Sequence, residues 1–125
     1  MIESAAMYSI RYHKPEKFVC LVWLPGTAGM TDQDFKAALE VFAEGALQHR
    51  AERLMIDVTE FRHRPSDEVL TWRDEVIVPK YNQAGVKRVA WVWPGEGGDT
   101  ATGEGTGYVN RYFSSEQEAL AWLLG

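Results

Sequence analysis

The chain has one cysteine, Cys20, among its 125 residues, so no intrachain disulfide can staple it. A chain of this length buries roughly two thirds of its unfolded surface and can fold without a disulfide or a metal. Basic residues are in the minority. Thirteen Lys and Arg against 18 Asp and Glu leave a net charge of −5, which argues against general nucleic-acid binding, because phosphate attraction needs a positive footprint. Long apolar runs are also missing: the longest, Phe18 to Leu24, has seven residues, against ~20 needed to span a bilayer. The opening Met1-Ile2-Glu3-Ser4 has neither the basic nor the apolar region of a secretory signal. The expectation is a soluble, cytoplasmic protein without a transmembrane segment. The three histidines, His13, His49 and His63, have no metal-ligand spacing, so neither metal nor cofactor is expected. Gly-x-Ser-x-Gly is absent as well, which removes the nucleophile elbow of the α/β-hydrolases.

Apolar content (46%) and charge (25%) are those of an ordinary globular domain, and one domain over 1–125 is expected. Tyr8, Ile10 and Tyr12 alternate with Ser9, Arg11 and His13, the period of a half-exposed strand near an edge. Phe18 to Leu24 is apolar on both faces and reads as an interior strand, forming an antiparallel hairpin with the first. Thr31 is an N-cap, with Asp32 and Asp34 in the first turn, and Phe35, Leu39, Phe42 and Ala46 form a buried helical stripe to about Gln48, with Gly45 weakening its last turns. Leu54 to Val58 is a buried strand. Ser66 caps a second helix whose apolar face is Val69, Trp72, Val76 and Ile77; Pro79 breaks or kinks it near Val78, and Gly85 ends it. Val86 to Trp93 is a further strand. The stretch 94–107, with six glycines, is a loop. Tyr108 to Phe113 is a short last strand, and Ser115 with Glu118 is a capping box for a final helix docked by Leu120, Trp122, Leu123 and Leu124. The order β-β-α-β-α-β-(β)-α predicts an α/β domain with a mixed sheet of four to five strands.

The glycine loop has neither a Walker lysine nor the spacing of a dinucleotide fingerprint, and Glu96, Asp99 and Glu104 would repel phosphate. Cys20, inside an apolar run, reads as a small core residue. Arg62, His63 and Arg64 precede the helix start at Ser66, where two guanidiniums and free N–H groups could hold an anion or a phosphate on Ser66; the plainer reading pairs the arginines with Glu60, Asp67 and Glu68. Asp57 ends a parallel strand, and with His63 and Ser66 a hydrolase-type triad can be drawn, although its order matches no known elbow. Trp91 and Trp93 share one strand face. If the helices cover only the Ala90 face, these rings need a second subunit, a ligand or a loop over them, with Trp23 and Trp72 joining that surface.

The chain resembles the bacterial STAS-like domains akin to sporulation anti-sigma-factor antagonists, often grouped with the CRAL-TRIO lipid-binding fold. The resemblance rests on Trp23 with the loop to Met30-Thr31-Asp32, Leu54 to Asp57, Phe61, Trp72 and Pro79. It continues in Gly85 to Ala90, in Arg111-Tyr112-Phe113-Ser114 and in Glu118 to Leu123. It implies a mixed sheet with helices mainly on one face. It also implies a switch serine at the start of the second helix, for which Ser66 is the nearest counterpart, although Pro65 stands where those proteins carry Asp. The leading expectation is a non-catalytic regulatory or interaction domain that binds a protein partner or itself as a homodimer through Arg62, Arg64, Ser66, Trp72, Trp91 and Trp93. The alternative is a protein that binds a small apolar or lipid-like ligand; an enzyme is not expected.

Overall fold

The computed structural model of the chain describes residues 2–4, 7–93, 101–102 and 108–124. Its sheet is built outward from the most apolar segment. Strand β3 (Phe18–Trp23) pairs antiparallel with β2 (Tyr8–His13) on one side and parallel with β4 (Arg53–Asp57) on the other. Parallel pairing continues to β5 (Arg88–Val92) and β7 (Val109–Phe113). These five strands are the body of the mixed sheet. Two short antiparallel strands extend its edges, β1 (Ile2–Ser4) beside β2 and β6 (Ala101–Thr102) beside β7. Both carry too few residues to show a period in the sequence, and β1 takes β2 off the edge. Apart from β6, the expected glycine-rich loop at 94–107 lies outside the described residues.

Helices cover the sheet mainly on one face. Alternation sends Ile10, Leu21, Ile56 and Val89 toward helix α1 (Asp32–His49) and the helical stretch formed by α2 (Asp67–Trp72) and α3 (Val78–Ala84). It sends Phe18, Cys20, Met55, Ala90 and Val92 to the other face, under α4 (Glu116–Leu124). Both faces are thus covered, and Ala90 lies under the single helix α4 while Trp91 faces the larger layer. That corrects the picture in which helices cover only the Ala90 face. Burial pushes the Cys20 thiol up to about 12, so it packs as an inert hydrophobe.

The sequence signals at the start of α1 act as a full capping box. Thr31 Oγ1 accepts from the Asp34 N–H (3.2 Å), and Asp34 accepts from the Thr31 N–H (3.1 Å). The expected stripe of Phe35, Leu39, Phe42 and Ala46 is buried. Gly45 has a role beyond weakening the helix: a Cβ there would stand 2.6 Å from the Tyr12 ring, which also lies against His49 at 4.6 Å. Gly45→Ala should therefore destabilise by about 1–2 kcal/mol, because overpacking costs more than the helix propensity it recovers. Adding Tyr12→Leu should reverse most of that loss in urea unfolding. A Gly45→Ala protein as stable as the parent would show that Tyr12 moves aside freely.

The second helix does not break at Pro79. A π-turn (Arg73–Ile77) joins α2 to α3, with the Val78 N–H bonded to the Arg73 carbonyl. The wider turn accommodates Pro79, which has no N–H to donate into the preceding turn, and Gly85 closes the stretch in the left-handed region (φ 98°). The turn also re-registers the inward stripe: Val69, Ile77 and Tyr81 are buried, while Val76 is exposed against the sequence expectation. On α4, Ala119 and Leu123 dock and Leu124 is exposed. Arg53 and Arg88 donate to the Leu123 and Trp122 carbonyls (both 2.8 Å), which places positive charge at the negative end of the helix.

Candidate functional site

On the α1–α3 side, the carboxyl-terminal half of the parallel strands does not close fully against the helices. A pocket of about 410 Å³ remains there, within the size range of small-molecule sites. Its position, at the carboxyl ends of parallel strands, is where open α/β sheets hold ligands. Trp23 from β3, Ile56 from β4, Trp91 from β5 and Tyr112 from β7 form the floor. Phe35, Leu70, Val78 and Tyr81 come from the helices, and Phe61 and Pro65 from the loop after β4. The rings brace one another. Trp91 stacks on Tyr112 (6.0 Å), and Trp23 stacks on Phe35 (5.6 Å) and tilts against Phe61 (4.9 Å). Trp91 Nε1 donates to Asn110 Oδ1 (3.0 Å), which fixes the indole in its plane. Trp93 stands at the rim, 49% exposed.

The loop that carries Phe61 is held by one buried hydroxyl. Thr27 Oγ1 donates to the carbonyls of Leu24 (2.9 Å) and Glu60 (3.2 Å) and accepts from the Arg62 N–H (2.7 Å). In the sequence, Thr27 is one residue of an apparent loop, Pro25 to Gly29. In the structure that segment is a 3₁₀ turn with a fully buried threonine.

Of the six expected site residues, two line the pocket and four lie outside its lining. Trp91 and Trp93 meet at the pocket. Arg62 and Arg64 are exposed beside it; Arg62 Nη2 pairs with Glu60 (3.0 Å). Ser66 caps α2 by accepting from the Val69 N–H (3.3 Å) and also bonds Asp32. Trp72 is half-buried outside the pocket lining, with Lys36 Nζ 5.3 Å from its ring. The structure separates the drawn triad. His63 Nε2 lies 2.9 Å from Asp32 Oδ1, and Asp32 is also the partner of Ser66. Those hydrogen bonds, Ser66 first and then His63, hold the Asp32 carboxyl below the usual carboxylate range. An acid placed between histidine and serine joins α1 to the α2 entrance but leaves the serine without a base.

Asp57 faces α4 instead, in a second polar cluster. Its Oδ1 accepts from the Thr59 N–H (2.9 Å), and its carboxyl hydrogen-bonds Glu116 on the first turn of α4. Burial pushes Asp57 up, but the bonds from Glu116 and Thr59 outweigh it and leave its pKa lowered. Glu116 is pushed up to about 7 by the hydrogen bond to Asp57, by burial and by the charge of Asp57.

Sequence reasoning missed Arg73, Asp74, Tyr81, Tyr108 and Asn110, which also line the pocket. Arg73 and Tyr81 had a visible signal: with Val69 and Ile77 they recur at intervals of four. Among the described residues, no group of three His, Cys, Asp or Glu side chains could hold a metal ion, and no helix is long and apolar enough to cross a membrane. Comparison with known protein families, with curated proteins and with solved structures finds no match to the chain.

Proposed function

We propose that the chain is a non-catalytic binding module that takes a small, planar, largely apolar molecule into the aromatic pocket. The observation that carries this reading is the pocket itself: about 410 Å³, at the carboxyl ends of the parallel strands, lined by indole, phenyl and phenol rings. The separation of Asp57 from His63 and Ser66 supports a role in binding rather than hydrolysis. The element order, with helices mainly on one face, supports a STAS-like reading of the chain as part of the same proposal. A partner-binding role has its own observation, the half-exposed Trp93 at the rim, which a protein partner or a second copy could cover.

A neutral fluorescent probe, N-phenyl-1-naphthylamine, is expected to bind with one-to-one stoichiometry and to quench tryptophan emission. Trp91→Ala should weaken that binding at least tenfold. Because Trp91→Ala also removes packing, Leu70→Phe serves as a second variant: it should fill the pocket and abolish binding while the melting temperature stays near that of the parent. A parent protein that neither enhances probe emission nor retains the probe in native mass spectrometry would overturn the pocket reading. Light scattering on the same samples separates the partner reading, since a monomer at high concentration excludes self-association through Trp93.

A further inference from the structure

The pocket is apolar over most of its lining, but one end carries a charge. Arg73 lies on the inward stripe of the second helix, four residues from Val69 and four from Ile77. Four residues advance an α-helix by about 400°, so a stripe of strict fours drifts off its face; a π-turn, with more residues per turn, brings it back. The π-turn over Arg73–Ile77 sits at this point and sets Arg73 in the pocket lining with its side chain 34% exposed. A guanidinium on a buried stripe needs a partner. The partner here is the adjacent Asp74, reached from both Nε and Nη2 through one carboxylate oxygen, at 3.2 Å each.

That arrangement is incomplete in two ways. Both bonds converge on a single oxygen, and Nη1 makes no hydrogen bond among the described residues. Asp74 is 63% exposed, so its carboxylate is well solvated and its hold on Arg73 is of the weak surface kind. Around the guanidinium the pocket offers phenols. Tyr81 and Tyr108 stand edge to face (6.1 Å), and both line the cavity. Burial pushes the Tyr108 phenol up to about 12 and Tyr81 up as well, and the Arg73 charge acts on both against that trend. They stay protonated, and a protonated phenol can donate. The charged end therefore holds a guanidinium and phenols beside the exposed Asp74 carboxylate, while the rest of the lining is mostly apolar.

Building on the pocket reading above, we infer that the ligand is an aromatic carboxylic acid, its ring held among Trp23, Trp91 and Tyr112 and its carboxylate received by Arg73. The carboxylate supplies the second oxygen that Asp74 leaves out, in the bidentate geometry guanidinium prefers. Asp74 turns to solvent when the ligand enters, at little cost because it is already exposed. A single guanidinium with no lysine in the lining suits a monoanion rather than a phosphate.

The test compares 2-naphthoate with its neutral isostere 2-naphthamide at pH 8, by titration calorimetry on the whole chain. The parent should prefer the acid by roughly tenfold, the size of one charge-assisted hydrogen-bond pair. Arg73→Gln should reduce that ratio to about one, with the larger loss falling on the acid, a split that mere unfolding cannot produce. Asp74→Asn should raise the affinity for the acid several-fold, because it removes a competing carboxylate. Equal affinities in the parent, or a preference that survives Arg73→Gln, would overturn the acid inference while leaving the pocket reading intact. Failure of both compounds, together with failure of the neutral probe, would overturn the pocket reading itself.

Discussion

Replacing Thr27 by Val should cost about 2–4 kcal/mol in urea unfolding, because a buried donor or acceptor left without its partner costs ~1–3 kcal/mol; the Glu60 carbonyl and the Arg62 N–H each lose theirs here, while the Leu24 carbonyl keeps the Thr27 N–H. Valine matches threonine in shape, so no cavity opens and the loss is one of hydrogen bonds. The Arg62 N–H and the carbonyls of Leu24 and Glu60 all bond the Thr27 hydroxyl, and Thr27 is fully buried, so water cannot replace it without rearrangement. The effect should reach the pocket, because Glu60 and Arg62 flank Phe61, which tilts against Trp23 and Phe35. Probe binding should weaken together with stability. Thr27→Ser keeps the hydroxyl and loses only a methyl, so it should lose about 1 kcal/mol and retain binding. If valine is tolerated as well as serine, the hydroxyl is not what holds the loop.

Thr27 also shows where sequence reading reaches its limit. Within Pro25-Gly26-Thr27-Ala28-Gly29 nothing distinguishes it from loop filler, since two of its partners lie more than thirty positions later. Local signals were legible wherever the partners are local. Thr31 and Asp34 cap α1 across three positions, and Ser66 caps α2 in the same way. The sheet body was also legible, because period and connection together specify which strands run parallel. Alternation placed Trp91 and Trp93 on one face correctly. It could not say which helices cover that face, since that is decided by contacts between elements distant in the chain. Arg73 was missed for a different reason. The apolar face was read as Val69, Trp72, Val76 and Ile77, the spacing of a regular α-helix, and only the π-turn sets the fours Val69, Arg73, Ile77 and Tyr81 on one inward stripe.

The Asp57–Glu116 pair was invisible to sequence for the same long-range reason, and it sets the sharpest expected pH dependence. The ordinary value for a free Glu here is 4.5, and the folded chain raises Glu116 to about 7. Between those values the folded state keeps a proton that the unfolded state releases. Stability from Glu116 is therefore fully present below about pH 4.5 and is lost as pH rises through 7. Asp57 works in the opposite sense. Its folded value is depressed, so its contribution is present above its ordinary 3.8 and is lost as pH falls through the folded value. Together the two carboxyls share one proton and favour folding most near pH 4–5. Arg11 on β2 faces the pair and draws Glu116 down, while the Cys20 thiol on β3 is neutral throughout. Because much of Glu116 is solvated, the loss between pH 5 and pH 8 should be discounted to about 1–2 kcal/mol. Glu116→Gln should remove it, since the amide donates to Asp57 at every pH and carries no charge. The comparison to make is the parent minus Glu116→Gln in unfolding free energy from pH 5 to pH 8, because every other ionisable group is common to the two proteins and cancels in the difference. That difference should fall as pH rises, leaving the variant the more stable protein at pH 8. A flat difference would mean that the first turn of α4 holds to the sheet without a shared proton, through Ala119, Leu123 and the two arginine-capped carbonyls alone.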